Sequence, residues 1–451
     1  MTTLDDLRAL GLFEARAPRY TSYPPANHFS SAVDSDTASG WINAVPSGAR
    51  VSLYLHILYC RRLCWFCACR TQGTSTDRPL VPYLAQILSE LALVGARLRP
   101  DVVISQIHLG GGTPTLLNPA MLRQLGAALR AFRPLADDLQ FSVEIDPTEL
   151  DQPRIDALRD IGMTRASIGV QDFDPEVQEA IGRQQSFDLT RDVVAMLRAV
   201  GITSLNMDIL YGLPYQTKAR MADSVAKVLS LNPDRVALYG YAHVPWMAKR
   251  QVMIPADALP SPEERLDLFD ISRQMFLGDG YREIGIDHYA RATDTLALAD
   301  DQGRLRRNFQ GYTDDTSDVL IGLGASAISR YPQGYAQNET ISSRYATAIA
   351  KGSLATERGY AMLDEDQLRA AMIESLMCSF SLDLPAIAAR FDLPVDAIRE
   401  RTASLRQRFG GQIADTGDMI RLTQSSRLIA RLAAQELDSF QMPQGRHSRA
   451  M

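Results

Sequence analysis

The chain is poor in cysteine, carries no excess of basic charge, and contains no internal repeat or low-complexity tract. Only five cysteines occur in 451 residues, too few and too unevenly placed for a secreted disulfide scaffold. Lys and Arg number 47 against 53 Asp and Glu, so the net charge of −6 argues against a dedicated nucleic-acid binder while leaving room for a local basic site. No uninterrupted apolar run reaches membrane-spanning length, so no membrane partner is expected. The opening MTTLDDLRALGLFEARAPRY has early acids and no basic-then-apolar pattern, so the expected compartment is the cytoplasm. With 46 % apolar and 22 % charged residues, wholesale disorder and collagen-like structure are excluded. The length allows two to three domains, or one barrel taking most of the chain.

What is there is concentrated. Cys60, Cys64, Cys67 and Cys69 fall within ten residues and Cys378 stands alone. Four thiols this close point to a metal site.

Residues 1–47 are rich in turn formers, with Pro18, Pro24, Pro25 and Pro46. Proline restricts itself and its predecessor, so this segment reads as an arm lying across another domain. From Val51 to Ala242 short β-like runs alternate with helical stretches: VSLYLHI, ISQIHLG, FSVEID, RASIGVQ, SLNMDIL and RVALYGYA. Such alternation predicts parallel βαβ units. Strand side chains alternate faces, which groups Ser52, Tyr54 and His56, then Gln106 and His108, then Ser142, Glu144 and Asp146. Arg165, Ser167 and Gln171, and Ser204, Asn206 and Asp208, fall into the same pattern. A parallel sheet covered on both faces should be apolar on both, so a repeatedly polar face predicts an α/β barrel with a working lumen, incomplete at six units. The barrel and its extension are expected over 48–355. Residues 356–451 read as a mainly helical, winged-helix-like domain with a short hairpin near IADTGDMIRL, serving packing or substrate covering rather than DNA binding.

Cys60-x3-Cys64-x2-Cys67 directly follows the first strand. Structural zinc takes four ligands, which Cys69 could complete. An iron–sulfur cube also normally takes four cysteines. If Cys69 lies off the cube, one iron is left open to bind substrate or cofactor.

This triplet after a strand of a βα array resembles the signature of the radical S-adenosylmethionine (SAM) superfamily. Within it the chain is similar to the oxygen-independent coproporphyrinogen III oxidase (dehydrogenase) family through PRYTSYP, YLHI, CRRLCWFCAC, HLGGGTPT, VEIDP and GVQDF. The series continues through DILYGLP, YGYAHVP, DHYA and RNFQGYT. The departures are Leu58-Tyr59 where relatives often have Pro-Phe, and Ala68 in place of a common Gly. Haem-trafficking chaperones and porphyrin-ring-opening methyltransferases of the superfamily are the alternatives. The chaperones typically lack the PRYTSYP arm and carry Phe at the position of Cys69.

The resemblance implies a radical SAM barrel with one [4Fe–4S] cluster on Cys60, Cys64 and Cys67, the residues that carry the catalysis, and with Cys69 free. It implies two SAM molecules, the first chelating the open iron. Cleavage of SAM gives a 5′-deoxyadenosyl radical. Each of two propionates on coproporphyrinogen III then loses a β-hydrogen, carbon dioxide and one further electron, leaving protoporphyrinogen IX. An external one-electron donor and a final electron acceptor are required, and a monomer is expected. Tyr54, Phe66, Gly111, Glu144 and Ala242 would contact SAM, and Gly112, Thr113, Gln171, Arg183 and Asp208 the second SAM, with Ile328 another SAM contact. Phe309 and Gln310 would reach the second site and the substrate. The substrate's four carboxylates call for cations, with Arg19, Arg61, Arg62, Arg291, Arg306 and Arg307 as candidates and Tyr20 and Tyr23 supporting the arm.

Overall fold

The computed structural model describes residues 4–440; residues 1–3 of the arm and 441–451 of the C-terminal segment lie outside the described residues. All six expected strands form: β1 (Arg50–Ile57), β2 (Val103–Gly111), β3 (Leu135–Ile145), β4 (Arg165–Gln171), β5 (Ser204–Tyr211) and β6 (Arg235–Gly240). They pair in parallel in that order. A hairpin of β7 (Arg282–Ile284) and β8 (His288–Ala290) follows, then β9 (Val319–Leu323), β10 (Ile328–Tyr331), β11 (Gly334–Asn338) and β12 (Thr356–Ala361). The twelve strands form one sheet in the order β12-β11-β10-β9-β1-β2-β3-β4-β5-β6-β8-β7.

The sheet is an open α/β barrel of the six expected parallel strands, and a seventh parallel strand that the sequence reading did not place extends it. β9 lies parallel to β1, on the side away from β2. Its glycines disguise it. A Cβ on Gly322 would stand 2.6 Å from the Ile328 carbonyl oxygen, so the strand needs the residue that weakens its own sequence signal. The flanking strands are antiparallel at both ends of the sheet, and its two outermost strands do not pair with each other.

Burial follows the strand phase. Val51, Leu53, Leu55 and Ile57 are fully buried on the helix side of β1. The first crossover helix, Leu80–Gly95, buries Tyr83, Leu84, Ile87, Leu91 and Val94. Later crossover helices start at side-chain caps on Asn118, Asp151, Ser186 and Thr217. Each cap satisfies an orphan N–H and contributes about 1 kcal/mol.

The arm and the C-terminal segment pack on this barrel. Leu7, Leu12, Phe13, Tyr20 and Tyr23 share one buried cluster with barrel and C-terminal residues out to Leu437. Helices Asp364–Ser379, Leu384–Arg390, Val395–Arg401 and Ala403–Phe409 precede the expected hairpin, Ile413–Asp415 with Met419–Leu422, which a third strand, Ser381–Asp383, joins. The main sheet runs past residue 355, because β12 pairs with β11.

Behind the Gly-rich turn after β9 sits a fully buried carboxyl, Glu90. It accepts from Gly324 N–H at 2.7 Å, Tyr345 Oη at 2.7 Å and Asn338 Nδ2 at 2.6 Å. Burial nevertheless pushes it up to about 7. A carboxyl raised above its ordinary value holds its proton more tightly folded than unfolded, so its contribution is fully present at low pH and declines as pH climbs through about 7. Asp208, pushed by burial to about 6, acts in the same direction. Relative to Glu90→Gln, the anaerobic holoprotein is therefore expected to lose melting temperature between pH 5 and 8. Parallel pH profiles for the two proteins would contradict this.

Candidate active site

The site stands at the C-terminal ends of the parallel strands. After β1 the chain runs through a two-residue strand, Tyr59–Cys60, that pairs with Gln72–Gly73 and clamps the cysteine loop between them. Gln72 N–H donates to Leu58 O at 2.9 Å and Thr74 N–H to Cys60 O at 2.9 Å. Arg61 pairs with Asp77, and Arg62 Nη1 donates to Gln184 O at 2.9 Å. These two arginines tie down the loop.

The glycine turn after β2 is stitched to the same stem. Gly112 N–H donates to Ile57 O at 2.7 Å and Thr113 N–H to Tyr59 O at 2.9 Å. Thr113 also hydrogen-bonds Cys60, whose thiol burial raises to about 11. A Cβ on Gly110 would stand 2.7 Å from Glu144 Oε1, and one on Gly111, at φ 107°, 2.5 Å from His56 Nδ1. The turn approaches its neighbours as only glycine can.

Beneath it the lumen is polar, as the strand phase predicts. Glu144 takes a hydrogen bond from His108 Nε2 at 3.1 Å and from Gly111 N–H at 3.0 Å. Burial works to raise this carboxyl, but those bonds outweigh it and hold it below its ordinary value. Tyr54 stacks on His108 with ring centroids 5.7 Å apart, and its hydroxyl meets His56 Nδ1 at 3.0 Å. Asp208 accepts from Asn206 Nδ2 at 2.8 Å and Ser167 Oγ at 3.4 Å. Gln171 closes β4 in the left-handed region, at φ 69°.

Arg183 lies next to the cysteine loop. It is 8 % exposed, and its Nη1 stands 3.6 Å from Cys64 Sγ and 3.5 Å from Asp146 Oδ2. Its Nη2 donates to Gly169 O at 2.9 Å, while its buried Nε has no partner among the described residues. Phe66 and Ala242 are joined through Gln251, whose Nε2 donates to Phe66 O at 2.8 Å and Ala242 O at 3.1 Å. Ile328 and Phe309 border a small cleft with Arg306. Gln310 offers its carbonyl to Tyr239 Oη at 3.4 Å.

These residues fit an iron–sulfur cluster with a ligand beside it. Three thiols sit on one clamped loop, a buried guanidinium stands 3.6 Å from one of them, and the Gly turn brings backbone rather than side chain against the loop stem. Cys69 is exposed, and its thiol hydrogen-bonds Cys67 while lying near Cys60 and Glu144.

Next to Ala242 opens a cavity of about 1070 Å³, lined by Tyr239, Tyr241, Phe269 and Asp287 among others. Arg19 and Arg307 line it. Arg291 does not: it pairs with Asp279 at 2.8 Å and its N–H donates to Asp234 O, next to the first residue of β6, at the opposite end of the barrel. Arg306 is engaged by Glu374 at 3.0 Å. Tyr20 holds the arm, since its hydroxyl donates to Asp438 at 3.1 Å and secures it to the C-terminal segment. Tyr23 does the same through Ser439 at 3.0 Å.

His56, His108, Gln251 and Asp287 escaped the sequence reading as site residues. The polar phase of β1 and β2 carried the two histidines, and DHYA carried Asp287. Nothing local marked Gln251.

The radical SAM superfamily matches residues 54–228. A curated oxygen-independent coproporphyrinogen III oxidase from Paracoccus denitrificans is 52 % identical over 452 residues, covering 100 % of both chains. One from Cereibacter sphaeroides is 51 % identical, covering 99 % of this chain and 100 % of its own. A solved coproporphyrinogen III oxidase from Escherichia coli, described as a radical SAM enzyme, superposes with a TM-score of 0.89 at 35 % identity, covering 94 % of this chain and 98 % of the other. Identity at this level over whole chains, on a barrel whose cysteine loop and glycine turn are bonded together, makes this chain a member of the oxygen-independent coproporphyrinogen III oxidase family of radical SAM enzymes.

Proposed function

We propose that the chain converts two propionates of coproporphyrinogen III to vinyl groups by oxidative decarboxylation, giving protoporphyrinogen IX in anaerobic haem synthesis. The observation that carries this is the cysteine loop bonded to the glycine turn beside a cavity reached by Arg19 and Arg307. Cys60, Cys64 and Cys67 would hold a [4Fe–4S] cluster, which when bound supplies the single electron that turns SAM into a hydrogen-abstracting reagent. Family membership supports both cofactors; that two SAM molecules bind is our reading.

The chain's own residues position and exclude. Glu144, kept ionised by His108 and Gly111, presents a fixed acceptor to SAM hydroxyl or amino groups. Tyr54, Phe66, Gly111 and Ala242 enclose the first SAM. Gly112, Thr113, Gln171, Arg183 and Asp208 enclose the second, with Ile328 a further SAM contact and Phe309 and Gln310 reaching the second site. Arg183, whose Nη1 stands 3.6 Å from Cys64 Sγ, would also balance the charge of a cluster held there. Electrons enter from an external one-electron donor and leave to an external acceptor.

Removing the Glu144 charge without its shape, in Glu144→Gln, should weaken SAM binding about tenfold to a hundredfold, the value of a charge-assisted hydrogen bond. Equilibrium binding of SAM to the reduced holoprotein measures it, and unchanged affinity would contradict the assignment. The reaction itself is tested anaerobically with reductant, SAM and coproporphyrinogen III, following 5′-deoxyadenosine and tetrapyrrole together. Deoxyadenosine with divinyl product supports the proposal. Haem binding without turnover would instead identify a haem carrier.

A further inference from the structure

Four large apolar side chains stand in the open within eight residues of chain: Trp246, Met247, Val252 and Met253 are each more than half exposed. They belong to the segment after β6, which turns through the 3-10 helix Lys249–Met253. Such a helix repeats every three residues, so one ridge faces inward and two are left for the surface. The inward ridge carries Gln251 and Ile254, both buried. The other two, Trp246-Lys249-Val252 and Met247-Arg250-Met253, each set one cation between two apolar residues.

This segment is fastened to the cysteine loop. Gln251 Nε2 donates to Phe66 O at 2.8 Å, and Arg250 Nη2 donates to Cys69 O at 3.2 Å and to Thr71 Oγ1 at 3.0 Å. The Arg250 charge acts on Cys60 and Cys67. The exposed patch therefore lies one bonded residue away from the loop that would hold the cluster.

The same surface is basic. Residues 58–76 and 241–256 hold Arg61, Arg62, Arg70, Lys249 and Arg250 and no acid, in a chain whose net charge is −6. Arg70 Nε donates to Thr340 O at 3.1 Å, and Arg70, Lys249 and Arg250 form no ion pair among the described residues. Of the bordering acids, Asp77 pairs with Arg61, Glu149 lies 4.0 Å from Arg61 Nε, and Asp257 follows the segment. Glu357 accepts the Thr340 N–H at 3.0 Å, and Glu339 lies beside Glu357 and Arg344. Exposed Trp and Met set among cations have the composition of a docking surface rather than of a solubilising face. A patch this small suits a short-lived encounter steered by charge.

We propose that this surface docks a small acidic protein that carries one electron at a time, and that it is the entry for the electron the cluster needs. The inference rests on the function proposed above, which draws electrons from outside. Across the interface one electron leaves the carrier's reduced group and one enters the cluster, with no bond made or broken. The bonds to Phe66 and Cys69 favour such a carrier over a lipid surface, because they join the patch to the loop that would receive the electron.

The test uses the anaerobic holoprotein with an acidic flavodoxin, and dithionite as a carrier-free reductant. Oxidised flavodoxin is titrated calorimetrically, and reduction of the cluster by flavodoxin hydroquinone is followed by absorbance. The parent protein is expected to bind flavodoxin and to lose affinity as salt is raised. Lys249→Glu, and Val252→Ser combined with Met253→Ser, should each weaken binding and slow reduction about tenfold, while reduction by dithionite is unchanged. Variants that bind and are reduced like the parent would overturn the proposal. Equal slowing with both reductants would also overturn it, by showing that the segment only supports the loop. A parent that flavodoxin neither binds nor reduces would do the same. So would binding to phosphatidylglycerol vesicles that the same variants lose, which would assign the surface to a membrane. None of these outcomes touches the proposed function, which fails separately if the dithionite-reduced parent yields neither 5′-deoxyadenosine nor divinyl product.

Discussion

Serine in place of Cys60, Cys64 or Cys67 is expected to reduce both cluster iron and SAM-dependent turnover to background, whereas Cys69→Ser keeps both. The difference comes from placement on one short loop. Cys60 is held by Thr113 and by the paired stem, and Cys64 lies 3.6 Å from the Arg183 guanidinium. A serine hydroxyl is too weak an acid to become the anion that iron binds, so exchanging one ligand removes charge and softness together. Cys69 is exposed and directed at Cys67, where its loss costs a hydrogen bond and no ligand. Iron and sulfide analysis with 5′-deoxyadenosine release, on anaerobically reconstituted variants, measures the contrast. Loss of iron in Cys69→Ser to the level of the other three would show a four-thiolate site and contradict the assignment.

Gly112→Ala is expected to be nearly as damaging, although it removes no functional group. The added Cβ would stand 2.6 Å from Tyr59 O, 2.8 Å from Ile57 O and 3.0 Å from Cys60 Sγ. Two of these are backbone atoms, which cannot swing aside, and Ile57 O already accepts the Gly112 N–H at 2.7 Å. The turn and the loop stem must therefore separate. Displacing a reacting geometry by about 1 Å costs roughly a hundredfold in rate, and a loss of that order with reduced iron retention is expected. Gly411→Ala, where nothing lies within 4 Å, is the control and should leave turnover unchanged. Full activity in Gly112→Ala would show that loop and turn are not rigidly joined.

Much of this site could be read in the sequence because its signals are local. The six β-like runs lie in β1 to β6, and the polar phase of β1, β2 and β3 placed Tyr54, His108 and Glu144 in one lumen. The thiol cluster stood out by spacing alone. Long-range pairing was not legible. Arg183 meets Cys64 across 119 positions, and nothing in its neighbourhood distinguishes it from a surface charge. β9 was hidden by the glycines its close approach to β10 demands. Arg291 was misplaced for a related reason: residue type suggests a carboxylate partner, but only the fold tells which end of the barrel a side chain reaches.

The most direct measurement is the electron paramagnetic resonance spectrum of the reduced, anaerobically reconstituted protein before and after SAM is added. The expected result is a [4Fe–4S] signal that shifts on SAM binding in the parent protein and in Cys69→Ser, because one iron is held by no thiolate. A spectrum that SAM leaves unchanged would contradict a three-cysteine cluster with an open iron.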